Sequence, residues 1–229
     1  MTSGILKIGH RGAAGHIAEN TIESIKKGIE LGATGIELDV HCCASGELVV
    51  FHDFTLDRVT NGSGDISKYI LSELKKLKVL DEFAIPTLHE VMNVVDNSLL
   101  MNIELKGHNT AKPIAEFIEF YVERKGWSWH SFLVSSFQND LLETVYETNK
   151  NINLGVLTDT NLEEAIIFSG QINAISIHLD YTMLTQEKVK KIQAHNLKIL
   201  TYTVNEKEHI ERLKSYGVDG IISDFPDKL

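Results

Sequence analysis

Cysteine is nearly absent: Cys42 and Cys43 are the only two, and they are adjacent. Neighbouring residues reach the geometry of a structural disulfide only with difficulty, and there is no second pair, so a disulfide-stapled fold is excluded. Proline is almost as scarce, with 3 in 229 residues, and no Pro/Gly/Ser-rich stretch marks a linker. No apolar run approaches the ~20 residues that span a bilayer. The opening Met1-Thr2-Ser3-Gly4 leads straight into Ile5-Leu6-Lys7-Ile8, without the long apolar stretch of a secretion signal. With unpaired thiols, these absences point to a cytoplasmic location. Positive charge is also in deficit, Lys+Arg 22 against Asp+Glu 32 for a net charge of −10. Such a surface repels nucleic acid and anionic lipid, so neither nucleic acid nor stable membrane association is expected. An anionic small molecule would need a local positive centre, from basic side chains or a bound cation.

What is present is an ordinary globular composition, 43% hydrophobic and 24% charged. A chain of this length buries roughly 70–75% of its unfolded surface and needs no crosslinks. Short β-rich runs begin near Leu6, Gly35, Leu99, Phe132, Ile152, Ala174, Lys198 and Asp219. Helical periodicity lies between them, at Asn20–Leu31, Ala111–Arg124, Leu141–Tyr146, Leu162–Phe168, Glu187–Ala194 and Glu206–Tyr216. The first of these starts with an Asn20/Glu23 pair that reads as a cap. Eight strand–helix units in a row predict an α/β fold, a (β/α)8 TIM barrel as a single domain over residues 1–229.

Two irregularities stand out. The second and third runs are separated by an excursion over about 43–86, predicted to hold an extra strand within Gly46–Asp53 and a helix over Ile66–Val79. Thr87–Met92 then reads as the regular second helix. At the other end only three residues follow Pro226, so the eighth helix is nearly absent. The outward face of Val218–Ile222 and the flank of the first helix would then lack cover. The gap is expected to be filled by the Ser3–Ile5 segment and neighbouring side chains, or by a second subunit; a monomer or weak homodimer follows.

Active sites of such barrels lie at the C-terminal strand ends, so polar residues there carry the information. The first run ends in His10-Arg11-Gly12, the second carries Glu37 and Asp39, and the third Asn102, Glu104 and Lys106. Alternation puts Glu37 with Asp39 on one face and Glu104 with Lys106 on one face. Ile36, Leu38, Ile103 and Leu105 then face the helices, and the carboxylates face the barrel mouth. Three uncompensated carboxylates in a pocket repel one another, and a hard divalent cation, Ca²⁺ or Mg²⁺, resolves the conflict. Arg11 and Lys106 then leave a small positive remainder that suits a phosphodiester monoanion. The alternative is a buried ion-pair network of the same carboxylates with Arg11 and Lys106. His10 and His52 are candidates for acid–base work; His16, His41, His89, His130, His195 and His209 read as ordinary hydrogen-bonded histidines.

His10-Arg11-Gly12, Glu19-Asn20-Thr21, Glu37-Leu38-Asp39, Phe51-His52-Asp53 and Ile103-Glu104-Leu105-Lys106 together resemble the glycerophosphodiester phosphodiesterase family. Ser136-Phe137, Tyr202-Thr203-Val204-Asn205 and Gly217–Pro226 extend the resemblance over essentially the whole chain, in order. The resemblance implies a barrel with an insertion after the second strand, metal ligands at Glu37, Asp39 and Glu104, catalytic histidines at His10 and His52, and phosphate contacts at Arg11 and Lys106. It also implies active-site support from Glu19 and Asn20, although a simple helix cap is the alternative for Asn20. Tyr202 stands where members often carry Trp, which would reshape the head-group pocket. His41-Cys42-Cys43 replaces a more polar stretch, with Cys43 read as a small buried residue.

The reading is a phosphoric diester hydrolase that uses one divalent metal ion and two histidines to cleave a small-molecule glycerophosphodiester to sn-glycerol 3-phosphate and an alcohol. The rivals are a phospholipase D-like lipid hydrolase and a non-catalytic phosphodiester-binding barrel.

Overall fold

Apolar runs covered on both faces pair most readily as parallel strands with helices packed outside them. The computed structural model describes residues 4–229 in this form, with Met1 to Ser3 outside the described residues. Its strands are β1 (Leu6–Gly9), β2 (Gly35–Cys42), β3 (Leu48–Val50), β4 (Leu100–Leu105), β5 (Phe132–Ser136), β6 (Leu154–Thr158), β7 (Ser176–Asp180), β8 (Lys198–Tyr202) and β9 (Gly220–Ser223). All but β3 are parallel. They run in the order β1-β9-β8-β7-β6-β5-β4-β2, and a β1–β2 pairing closes the barrel. The helices are α1 (Ile22–Glu30), α2 (Leu71–Leu74), α3 (Leu88–Met92), α4 (Ala111–Lys125), α5 (Asn139–Thr148), α6 (Leu162–Gln171), α7 (Gln186–Gln193) and α8 (Lys207–Tyr216). None is long and apolar enough to cross a membrane.

The main core lies between the strands and the outer helices and contains Ile36, Leu38, Ile103 and Leu105, as the alternation requires. A second, inner cluster of Ile8, Leu133, Leu200 and Ile222 fills the barrel interior. The interior is therefore a plug with a mouth at the C-terminal strand ends.

Two local expectations are corrected. The first helix is not capped by the Asn20/Glu23 pair: Thr21 is the cap, its side chain accepting from the Ser24 N–H at 3.1 Å. Asn20 instead turns inward, in a left-handed conformation with φ 57°. The helix expected over Ile66–Val79 is a 3-10 turn at Ile66–Lys68 followed by the four-residue α2. Ile66, Leu74 and Val79 must all reach one cluster with Val49, Phe51, Leu56 and Ile85. A straight helix would hold Ile66 and Val79 about 20 Å apart, so the chain folds back and Val79 pairs with Thr60. The extra strand expected within Gly46–Asp53 is present as the three-residue β3, antiparallel to β2. The regular second helix, α3, lies where expected, and a Thr87/Glu90 capping box starts it.

After β9 the chain forms a 3-10 turn, Pro226–Lys228. Leu229 is buried in the main core, and Ile5 packs against the same core. Ser3, the other end of the expected cover, lies outside the described residues.

Candidate active site

The β1–α1 turn is built on left-handed backbone. Arg11 has φ 49° and Gly12 φ 93°; a Cβ at Gly12 would lie 2.5 Å from the Ser24 carbonyl carbon, so only glycine fits. This turn brings the Arg11 backbone N–H to Glu37 Oε2 at 3.0 Å and its Nη1 to Glu19 Oε1 at 2.6 Å. A left-handed arginine costs about 1 kcal/mol or more, the kind of strain retained where geometry matters.

In the barrel register Asp39 lies beside Glu104 on the neighbouring strand, and Glu37 beside Asn102. Glu37, Asp39 and Glu104 each offer an oxygen, and these oxygens lie within 4.8 Å of one another. All three residues are buried. Asp39 is the best compensated. Burial opposes its charge, but Lys106 (Nζ 3.4 Å from Oδ1), Arg11 (Nε 3.3 Å from Oδ2), His52 and the Asn20 amide hold it below the ordinary carboxylate range. Asn20 grips it twice, donating from Nδ2 to Oδ2 at 2.8 Å and accepting the Asp39 N–H at 3.3 Å. Glu37 is the opposite case: burial, then Asp39 and Glu104, push its carboxyl well up. Glu104 is raised to about 7 by burial and by Asp39, despite Lys106. Lys106 Nζ lies 2.5 Å from Glu104 Oε1 and opposes this rise without cancelling it.

The ion-pair network expected as an alternative to a metal is thus present but incomplete. Two cations neutralise Asp39 and leave Glu37 and Glu104 under mutual repulsion. A set of three convergent buried carboxylate oxygens, two of them held up by burial and mutual repulsion, fits a hard divalent cation.

Two histidines flank this cluster. His10 Nδ1 is 2.6 Å from Asp224 Oδ1, and its Nε2 is 3.9 Å from Glu37 Oε2. His52 Nδ1 is 2.6 Å from Asp53 Oδ1. Both aspartates are held below the ordinary range, Asp53 to about 2, although burial opposes this. As ionised acceptors they require the proton on Nδ1, which leaves each Nε2 free for chemistry. Burial, with Arg11 and Lys106, lowers the His52 pKa against the pull of Asp39 and Asp53.

His10, Arg11, Glu37, His52, Glu104, Lys106 and Tyr202 line one cavity of about 150 Å³ at the barrel mouth. Asp39, Glu19 and Asn20 stand behind this lining. All ten residues singled out in the sequence converge on this mouth, though at different depths. Asp224, Asn205, Arg58 and His178 were not assigned from sequence. Asn205 donates to Asp224 Oδ2 at 2.6 Å and orients it for His10. Asp224 follows directly on the last strand, and a polar residue at a strand end is a readable signal. His178 is wholly buried in β7 and lines the same cavity. Burial holds it neutral, with a pKa of about 3; its Nε2 is 3.0 Å from Ser176 Oγ and its Nδ1 has no partner. Its signal was the alternation Ser176, His178, Asp180 in an apolar strand. Of the histidines read as ordinary, His16, His41, His89 and His195 are hydrogen-bonded outside the acid–base pairs.

Comparison with known proteins extends these observations. The family model for the glycerophosphoryl diester phosphodiesterase family matches residues 10–228. The chain is 37% identical over 238 residues to a glycerophosphodiester phosphodiesterase of Caldanaerobacter subterraneus subsp. tengcongensis, covering 98% of this chain and 96% of that one. Among solved structures, a Thermotoga maritima glycerophosphodiester phosphodiesterase aligns with a TM-score of 0.83 at 30% identity, covering 99% of this chain and 97% of that one. An Oleispira antarctica phosphodiesterase in complex with the product sn-glycerol-3-phosphate aligns with a TM-score of 0.88 at 28% identity, covering 96% and 93%.

Proposed function

The chain belongs to the glycerophosphoryl diester phosphodiesterase family, whose members are hydrolases, and from that premise we propose that it hydrolyses a small glycerophosphodiester to sn-glycerol 3-phosphate and an alcohol by metal-dependent, two-histidine catalysis. The observation that carries this reading is the pairing of His10 and His52 with ionised aspartates, each at 2.6 Å, on either side of three convergent buried carboxylates. Residues 1–229 act as one domain, with the 43–86 segment contributing His52 to the mouth. The partner is the small-molecule diester itself. The product held by the Oleispira antarctica relative supports this substrate class.

Glu37, Asp39 and Glu104 would hold one divalent cation, Ca²⁺ or Mg²⁺, through oxygen ligands. When bound, the ion offsets negative charge that develops on the phosphoryl group. Arg11 and Lys106 hold the remaining phosphoryl oxygens by charge-assisted hydrogen bonds. Glu19 and Asn20 keep Arg11 and Asp39 in place through the contacts already described. One histidine accepts at Nε2 the proton of the attacker, water or the glycerol 2-hydroxyl, while the other donates a proton from Nε2 to the departing alcohol oxygen; attack by the 2-hydroxyl gives a cyclic phosphate that water then opens, and the aspartates stabilise whichever imidazolium forms. Tyr202 and Phe137, whose ring centroids are 6.1 Å apart, border the cavity where the alcohol group leaves.

The test is release of glycerol 3-phosphate from glycerophosphocholine with added Ca²⁺ or Mg²⁺, and its loss in EDTA. Binding without turnover would favour the non-catalytic barrel. Turnover only of intact lipid would favour the phospholipase D-like rival, and turnover unaffected by EDTA would remove the metal from the mechanism.

A further inference from the structure

Arg58 lies in the inserted segment, half exposed, and touches neither the cavity nor the carboxylate cluster. Its guanidinium nevertheless makes four hydrogen bonds. Nε and Nη2 donate to Asp53 at 2.5 and 3.1 Å, and Nη1 and Nη2 donate to Glu19 at 3.1 and 2.6 Å. Asp53 is the residue that holds His52 Nδ1, and Glu19 is the residue that holds Arg11 Nη1. An unbroken chain of side chains therefore runs His52, Asp53, Arg58, Glu19, Arg11, Asp39.

The two ends of this chain belong to different parts of the fold. His52 and Asp53 enter with the insertion, whereas Glu19 and Arg11 sit on the β1–α1 turn. Ala18 of the turn packs against the insertion's apolar cluster beside Val59, and a cavity of about 300 Å³ lined by Ile17, Ala18, Val59, Val79 and Leu80 lies alongside. Arg58 adds a directional polar tie to this contact. A bidentate fork onto two carboxylates is the geometry that only arginine provides, since a lysine is a single point charge. It is also the case in which a partly exposed ion pair is held in one arrangement rather than averaging to nothing.

We infer that Arg58 is a positioning residue. Resting on the proposed reaction, it fixes the acid–base histidine His52 relative to the phosphate-holding Arg11 by gripping the carboxylate behind each. Displacement of reacting groups by about 1 Å costs on the order of 10²-fold in rate, which sets the scale of the effect.

The experiment measures glycerophosphocholine hydrolysis by the wild type, Arg58→Gln, Arg58→Lys and Arg58→Ala, with thermal unfolding alongside. Arg58→Gln and Arg58→Lys should each lower kcat/KM roughly 10- to 100-fold. KM should rise because Arg11 loosens, and kcat should fall because His52 loosens, with the unfolding temperature little changed. Free guanidinium at tens of millimolar should restore part of the Arg58→Ala rate, and urea at the same concentration should not. In an Asp53→Asn background, Arg58→Gln should cost much less than alone. Wild-type kcat and KM in Arg58→Gln, or a loss fully multiplicative with Asp53→Asn and unrescued by guanidinium, would overturn the inference and leave the proposed reaction standing. A wild type inactive with metal breaks the reaction reading instead. The positional claim is then read from the ring NMR signals of His52, identified by their loss in His52→Gln. They should move in Arg58→Gln, and unmoved signals overturn it.

Discussion

Replacing Glu104 with Gln removes one negative charge from the cluster while keeping its shape. In the metal-free chain the Glu104 carboxyl titrates at about 7 rather than its ordinary 4.5, because burial and Asp39 disfavour the charged form. The folded state therefore holds that proton more tightly than the unfolded chain does. The stability this lends is fully present below about 4.5 and is lost as pH rises through about 7. At about 1.36 kcal/mol for each pKa unit the loss is about 3 kcal/mol. Glutamine mimics the protonated acid at every pH, so Glu104→Gln should be spared the loss. The assay is thermal unfolding of both proteins in EDTA at pH 5 and pH 8. Most of that loss falls between these pH values, over which the variant should gain roughly 5–10 °C on the wild type, using the usual conversion for a domain of this size. Saturating Ca²⁺ or Mg²⁺ should invert the order at pH 8, because the wild type then has a ligand that the variant lacks. Parallel pH profiles in EDTA would refute the repulsion account, and an unchanged order with metal would refute the metal site.

Three further outcomes are expected. His10→Ala and His52→Ala should each lower kcat by roughly 10²–10⁴, with metal affinity by calorimetry little altered; a near wild-type rate would reduce that histidine to scaffolding. At Gly155 a Cβ would overlap the buried His178 ring, so Gly155→Ala should cost about 1–3 kcal/mol in urea unfolding, and a neutral result would mean that the ring is free to move. Leu229→Ala should destabilise by about 2 kcal/mol or more, because Leu229 is buried in the main core. Light scattering of the wild type should give a 25.6 kDa species, and a stable dimer would mean that a second subunit completes the cover.

The strand-borne half of the site was legible because it depends on period two alone. Once Ile36, Leu38, Ile103 and Leu105 are assigned to the helices, Glu37, Asp39 and Glu104 have nowhere to go but the interior. Local rules served less well where two of them competed. Asn20 and Thr21 are both good capping residues, and nothing within four positions says that a buried Asp39 will claim the Asn20 amide. The insertion misled for a related reason. Its helical periodicity is real, but burying Ile66, Leu74 and Val79 in one small cluster outweighs the backbone bonds of a longer helix.

By itself the sequence determined the repeating order of strands and helices and the inward set of carboxylates and basic residues, all consequences of side-chain periodicity along one segment. Only the tertiary structure decided what stands behind the reactive groups. Asp224 reaches His10 across 214 positions because β9 pairs with β1 to close the barrel. Arg58 reaches Glu19 across 39 because the insertion folds back over the mouth. Such contacts depend on closing long loops around a common core, and no local preference of Asp224 or Arg58 encodes where that closure brings them.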